Sequence, residues 1–148
     1  MWNPVSVNSD MLIPADMETS YLHVKTVNTV GSYDFIRMRV LFYDEEGETE
    51  GGIGIWFNES VSEYKLGCQS SGTPFLTSLP VETDKQWVVE KRGYRIIIHC
   101  NGKLVVNVTA TSETCSNKDD NWNTFWGREV TKINLRGYGF QTASYYIG

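Results

Sequence analysis

Between Asp84 and Ala110, apolar and polar residues alternate in three short runs broken by turn residues. Gln86–Lys91, Tyr94–Cys100 and Lys103–Ala110 read as antiparallel strands, joined at Arg92-Gly93 and at Asn101-Gly102. Asn-Gly suits a two-residue type I′ turn, because both positions accept the positive φ that this turn requires. Such a turn sets Ile97 opposite Val106 and Arg95 opposite Val108. Side chains alternate along a strand, so Leu104, Val106 and Val108 are expected to face the core. Ile98, Val105 and Asn107 share the other face.

The same punctuation continues along the chain. Strands are expected at Ser20–Val27, Phe35–Tyr43, Gly52–Phe57, Glu63–Cys68, Val130–Tyr138 and Ser144–Ile147. In Phe35–Tyr43, Ile36, Met38, Val40 and Phe42 form one apolar face, and Phe35, Arg37, Arg39, Leu41 and Tyr43 the other. The first sixteen residues, with Pro4 and Pro14, read as an irregular lead-in, and Gln69–Thr83 and Thr111–Glu129 as long loops. No stretch holds a 3.6-residue period over three helical turns. The pattern is that of an all-β chain, a two-sheet antiparallel β-sandwich or jelly roll. No linker or repeat divides residues 1–148, which are expected to form one domain.

Composition narrows the function classes. The net charge of −5 argues against a phosphate-neutralising nucleic-acid surface. No apolar run reaches the length of a membrane-spanning helix. Met1-Trp2-Asn3-Pro4 lacks the charged and apolar regions of a signal peptide, which also fits a mature secreted chain. Cys68, Cys100 and Cys115 include no CxxC pair, so a thiolate zinc site is not expected. Of the three possible disulfides, Cys100–Cys115 is preferred over three reduced thiols. Two sequons, at Asn58 and Asn107, mark possible glycosylation and favour secretion.

Trp87, Val89, Arg92-Gly93, Ile96-Ile97-Ile98 and Asn101-Gly102-Lys103-Leu104-Val105 together resemble the mid-domain pattern of concanavalin A-like sandwiches, including laminin G-like and pentraxin-like modules. The resemblance covers about 25 residues. It implies an extracellular binder of glycans, anionic polysaccharides or proteins, often with calcium.

Candidate chemistry concentrates in Cys115–Glu129. Asn117, Asp119, Asp120, Asn121 and Asn123 lie beside Trp122 and Trp126. Carboxylates and amides hydrogen-bond sugar hydroxyls, and a flat ring covers the apolar face of a pyranose. The other reading packs Trp122 and Trp126 against the core from a short helical turn. Asp119 and Asp120 could also give oxygens to calcium, although neither they nor the acidic turn Asp44–Glu50 match an EF-hand. If Ser20–Val27 and Phe35–Tyr43 form a hairpin, Lys25 opposes Arg37 and His23 opposes Arg39. With Lys132 and Arg136 alongside, these cations make a basic strip, the feature through which laminin G-like domains bind sulfated glycans. A solvated face with local Glu partners is the alternative.

Catalysis finds little support. The chain has two histidines, His23 and His99, and His99 reads as a core residue opposite Leu104. No Ser occupies a G-x-S-x-G elbow. The expectation is a secreted, non-enzymatic, lectin-like module with carbohydrate or glycoprotein ligands, no nucleic acid, no membrane span, and no cofactor other than possible calcium. The alternative is a protein–protein or self-associating adhesive module, even a homodimer, using Phe35, Leu41 and Tyr43 beside Arg37 and Arg39.

Overall fold

The structure is a computed structural model, described here for residues 1–6, 10–17, 20–28, 36–43, 45, 49–57, 62–66, 71–109 and 129–148. Among these residues, twelve strands run in chain order: β1 (Asn3–Val5), β2 (Asp10–Pro14), β3 (Leu22–Asn28), β4 (Ile36–Tyr43), β5 (Thr49–Phe57) and β6 (Ser62–Leu66), then β7 (Thr73–Pro74), β8 (Lys85–Arg92), β9 (Arg95–Cys100), β10 (Lys103–Thr109), β11 (Lys132–Tyr138) and β12 (Phe140–Ile147). They form two antiparallel six-stranded sheets. Sheet A has the order β1-β12-β3-β8-β9-β10, and sheet B the order β2-β11-β4-β5-β6-β7. No helix occurs among the described residues. The expected all-β two-sheet sandwich is what forms.

One apolar core joins the inner faces. Leu22, Val24, Trp87, Val89, Ile96 and Ile98 come from sheet A, and Met38, Val40, Phe42, Ile53, Ile55, Leu66 and Ile133 from sheet B. Trp87 is fully buried and donates its indole N–H to Thr26 Oγ1 at 3.2 Å. The Thr26 hydroxyl donates in turn to the Lys85 carbonyl at 3.4 Å. The largest inner side chain of sheet A thus keeps its polar atom satisfied through β3, as a buried indole requires.

The Asn101-Gly102 turn has the expected hand, with φ of 49° at Asn101 and 80° at Gly102. Asn101 also ties back to β8: its N–H donates to Gln86 O at 2.9 Å, and its Oδ1 accepts from Gln86 N at 2.7 Å.

Four expectations need correction. The lead-in is not irregular, because β1 pairs with β12 and β2 with β11; both are short edge strands whose alternation Pro4 and Pro14 obscure. Past the turn, the β9–β10 register shifts between Leu104 and Val106, so Ile97 opposes Asn107 and Ile96 opposes Val108. Val105 and Val106 are consequently both buried with Ile98, while Leu104 is 37% exposed. Next, β3 and β4 form no hairpin: β3 lies between β12 and β8 and β4 between β11 and β5. The chain crosses between sheets there, because both strands have an apolar face to bury in the same core. Lastly, Cys100 is a buried free thiol, so the expected Cys100–Cys115 bridge is not seen. Cys100 sits on the inner face opposite Trp87, where its side chain serves packing; Cys115 lies outside the described residues.

Thr26→Val should destabilise the protein by about 1–3 kcal/mol by stranding the buried Trp87 N–H. Denaturant unfolding would show a lower midpoint with an unchanged slope. Burial, the largest cause, pushes the Cys100 thiol up to about 12. Native Cys100 should therefore resist alkylation near neutral pH and react once the chain unfolds. The unfolded thiol ionises first as pH rises, so stability is lost from about pH 8.5 upward to about pH 12. Cys100→Ala should flatten that decline.

Candidate functional site

On the outer face of sheet B, charged side chains, an aromatic ring and bare backbone come together. β5 alternates Gly52-Ile53-Gly54-Ile55-Trp56, with Ile53 and Ile55 fully buried in the core. Gly52, Gly54 and Trp56 therefore face outward. The glycines leave space that their neighbours fill. A Cβ on Gly52 would lie 2.6 Å from the Val40 carbonyl and 2.7 Å from Leu41 Cδ2. One on Gly54 would lie 2.6 Å from Trp56 Cη2 and 2.9 Å from its Cζ3. Leu41 thus leans over Gly52, and the half-buried Trp56 indole rests across Gly54.

Charged groups flank this ring. Arg37 opposes Trp56 from β4, and Glu63 opposes it from β6. Arg39 and Lys65 oppose Gly54 from the same two strands. Directly opposed residues have Cβ atoms about 4.5–5.5 Å apart, which gathers four charges around one indole. The Glu63 carboxylate lies close against Gly72, where a Cβ would meet its Cδ at 2.6 Å.

β11 extends the face. Arg136 opposes Arg39, and Asn134 opposes Leu41. Adjacent guanidiniums disfavour each other, and Asp10 on β2 offsets this, its Oδ1 lying 2.9 Å from Arg136 Nε. Asn134 Oδ1 is buried and has no hydrogen-bond partner among the described residues. Arg37, Arg39, Lys65, Lys132 and Arg136 stand on this face with Asp10 and Glu63, so its described residues are net positive on a chain of charge −5. The surface can stack against a ring-shaped ligand and donate charge-assisted hydrogen bonds.

No protein-family model matches the chain, and no curated protein matches it in sequence. Solved structures do match. A tetrameric galectin from the ball sponge Cinachyrella sp. superposes with a TM-score of 0.58 at 12% identity, covering 95% of this chain and 98% of that one. Chicken galectin 2 gives 0.56 at 14%, covering 97% and 100%. Galectin LEC-6 of Caenorhabditis elegans gives 0.58 at 12%, covering 100% and 94%. The fold is the galectin sandwich. That places the chain in the concanavalin A-like architecture expected from its mid-domain pattern, and at these identities the likeness concerns fold alone.

Within this galectin-like sandwich the expected site residues separate. Arg37 and Arg39 face outward on sheet B, joined by Lys132 and Arg136 as expected. His23 and Lys25 lie on sheet A, so they cannot complete that strip. His23 stacks on Tyr146 at 4.1 Å, and Lys25 Nζ sits 4.2 Å above the Trp2 ring. His99 is half-buried on the outer face of sheet A, not in the core. Leu41 is 7% exposed and so offers little to the expected protein interface; Phe35 lies outside the described residues. So do Asn117, Asp119, Asp120, Asn121, Trp122, Asn123, Trp126 and Asn58. No cluster of three His, Cys, Asp or Glu side chains suited to a metal occurs among the described residues. Trp56 was not singled out from the sequence, although the alternation of Gly52, Gly54 and Trp56 marks it.

The two glycines predict different outcomes. Gly52→Ala pushes a Cβ into a backbone carbonyl and should cost about 1–3 kcal/mol. Gly54→Ala meets only the far end of an indole that can swing away. It should cost less and shift the Trp56 side-chain N–H resonance, checked by denaturation and by NMR.

Proposed function

We propose that this chain is a non-catalytic carbohydrate-binding module that holds its saccharide on the outer face of sheet B. The observation that carries the reading is Trp56 resting across Gly54, ringed by Arg37, Arg39, Glu63 and Lys65. A pyranose presents an apolar C–H face that stacks on an indole, and equatorial hydroxyls that accept from guanidinium and ammonium groups and donate to a carboxylate. The buried Asn134 Oδ1, without a partner among the described residues, offers one more acceptor; such atoms are rare unless water or ligand completes them. The shared fold with galectins supports a lectin reading.

The positive balance of this face favours saccharides that carry a carboxylate or sulfate, because arginine pairs with both in a two-pronged geometry. No step calls for calcium. The sequons support a secreted chain that meets glycans outside the cell.

A glycan array with neutral, carboxylated and sulfated members tests this. Wild type should bind, with acidic members preferred and binding weakened by salt. Trp56→Ala should lower affinity at least about tenfold, or about 1.4 kcal/mol, without unfolding. Arg39→Gln should remove the acidic preference. No binding to any glycan, or full binding by folded Trp56→Ala, would contradict the reading.

A further inference from the structure

Strand β10 carries a feature that saccharide binding does not use. Asn107-Val108-Thr109 is an Asn-x-Thr acceptor sequence, and the strand's geometry decides which way it points. In an unbroken strand, alternation from the exposed Leu104 would turn Val105 inward, Val106 outward and Asn107 inward. The register against β9 shifts between Leu104 and Val106 instead, and both Val105 and Val106 are buried. This bulge reverses the parity of everything after it. Val108 then packs against the core, and Asn107 and Thr109 are both exposed on the outer face of sheet A.

The surroundings leave room for a bulky substituent. Among the described residues β10 is the last strand of sheet A, so Asn107 has a described neighbouring strand on one side only. There it opposes Ile97, which is half-buried on the outer face. Leu104, 37% exposed, lies on that face of β10 as well. The first half of the strand edge is occupied: Val105 O accepts from Leu76 N at 3.0 Å, and Leu104 O accepts from the Thr77 hydroxyl at 3.4 Å. The sequon lies beyond these contacts, so a glycan displaces none of them.

We infer that Asn107 is an N-glycosylation site, turned outward by the bulge at Val105–Val106, and that its glycan covers Ile97 and Leu104 on the outer face of sheet A. Glycan attachment joins the Asn107 amide nitrogen to the sugar's anomeric carbon, with a lipid-linked oligosaccharide as donor and its phosphate-bearing lipid as leaving group. The inference is independent of where a saccharide ligand binds.

The test is expression of the full chain behind a cleavable secretion signal in mammalian cells. Asn58→Gln isolates the acceptor at Asn107. That variant should lose the mass of one N-glycan on treatment with peptide N-glycosidase, with Asn107 converted to Asp. Adding Asn107→Gln or Thr109→Ala should abolish the shift, and adding Thr109→Ser should retain it. Material held inside the cells is measured in the same way, so poor secretion does not conceal the result. Enzymatic removal of the glycan from folded protein should raise binding of a hydrophobic dye. A folded Asn58→Gln protein without glycan would overturn the site, and unchanged dye binding would overturn the covering of Ile97 and Leu104.

Discussion

Closing two six-stranded sheets over one core obliges each central strand to send alternate residues inward. In β4 and β5 the inward set is Met38, Val40, Phe42, Ile53 and Ile55, all within 2% of full burial. The residues between them have no freedom to turn in. Arg37, Arg39, Gly52, Gly54 and Trp56 are therefore fixed on the opposite face by the same packing that stabilises the fold. A one-residue slip in β4 would bury two guanidiniums, and a slip in either strand would strip the core. The position of this charged face is thus a consequence of core packing and needs no separate device.

The two sheets use that constraint differently. Sheet A buries Trp87 and satisfies it through Thr26, while on its outer face the Tyr146 ring contacts both Trp2 and His23. Those rings spend their faces or edges on one another, which makes them a tie for the short strand β1 more than a platform for a ligand. On sheet B the single indole of Trp56 rests on a glycine. Among the described residues its neighbours are charged and net positive. Charge, aromaticity and bare backbone coincide in one place because β5 alternates glycine with isoleucine.

Strand existence was readable from alternation and turn residues: the Asn101-Gly102 turn, β4, β8, β9 and β11 all lie where the pattern puts them. Pairing partners were not, since alternation says which face of β3 is apolar but nothing about which sheet it joins. That missing link turned an expected strip of His23, Lys25, Arg37 and Arg39 into residues on two different sheets. The bulge at Val105–Val106 was hidden for a related reason, as a run of Leu104, Val105 and Val106 fits either parity. Two edge strands passed for coil because Pro4 and Pro14 are tolerated only at edges. The Trp56 platform was missed, because nothing in the sequence says what covers the Gly52 and Gly54 positions: Leu41 leans over the first and the indole rests on the second.

The proposed site seats a saccharide on Trp56 and the charges around it. Its most direct test is amide and indole chemical-shift mapping of isotope-labelled protein titrated with an acidic oligosaccharide. Shifts should concentrate at Arg37, Arg39, Gly54, Trp56, Glu63, Lys65 and Asn134, with little change in β8 or β9. Shifts confined to the outer face of sheet A, or to Cys115–Glu129, would contradict it.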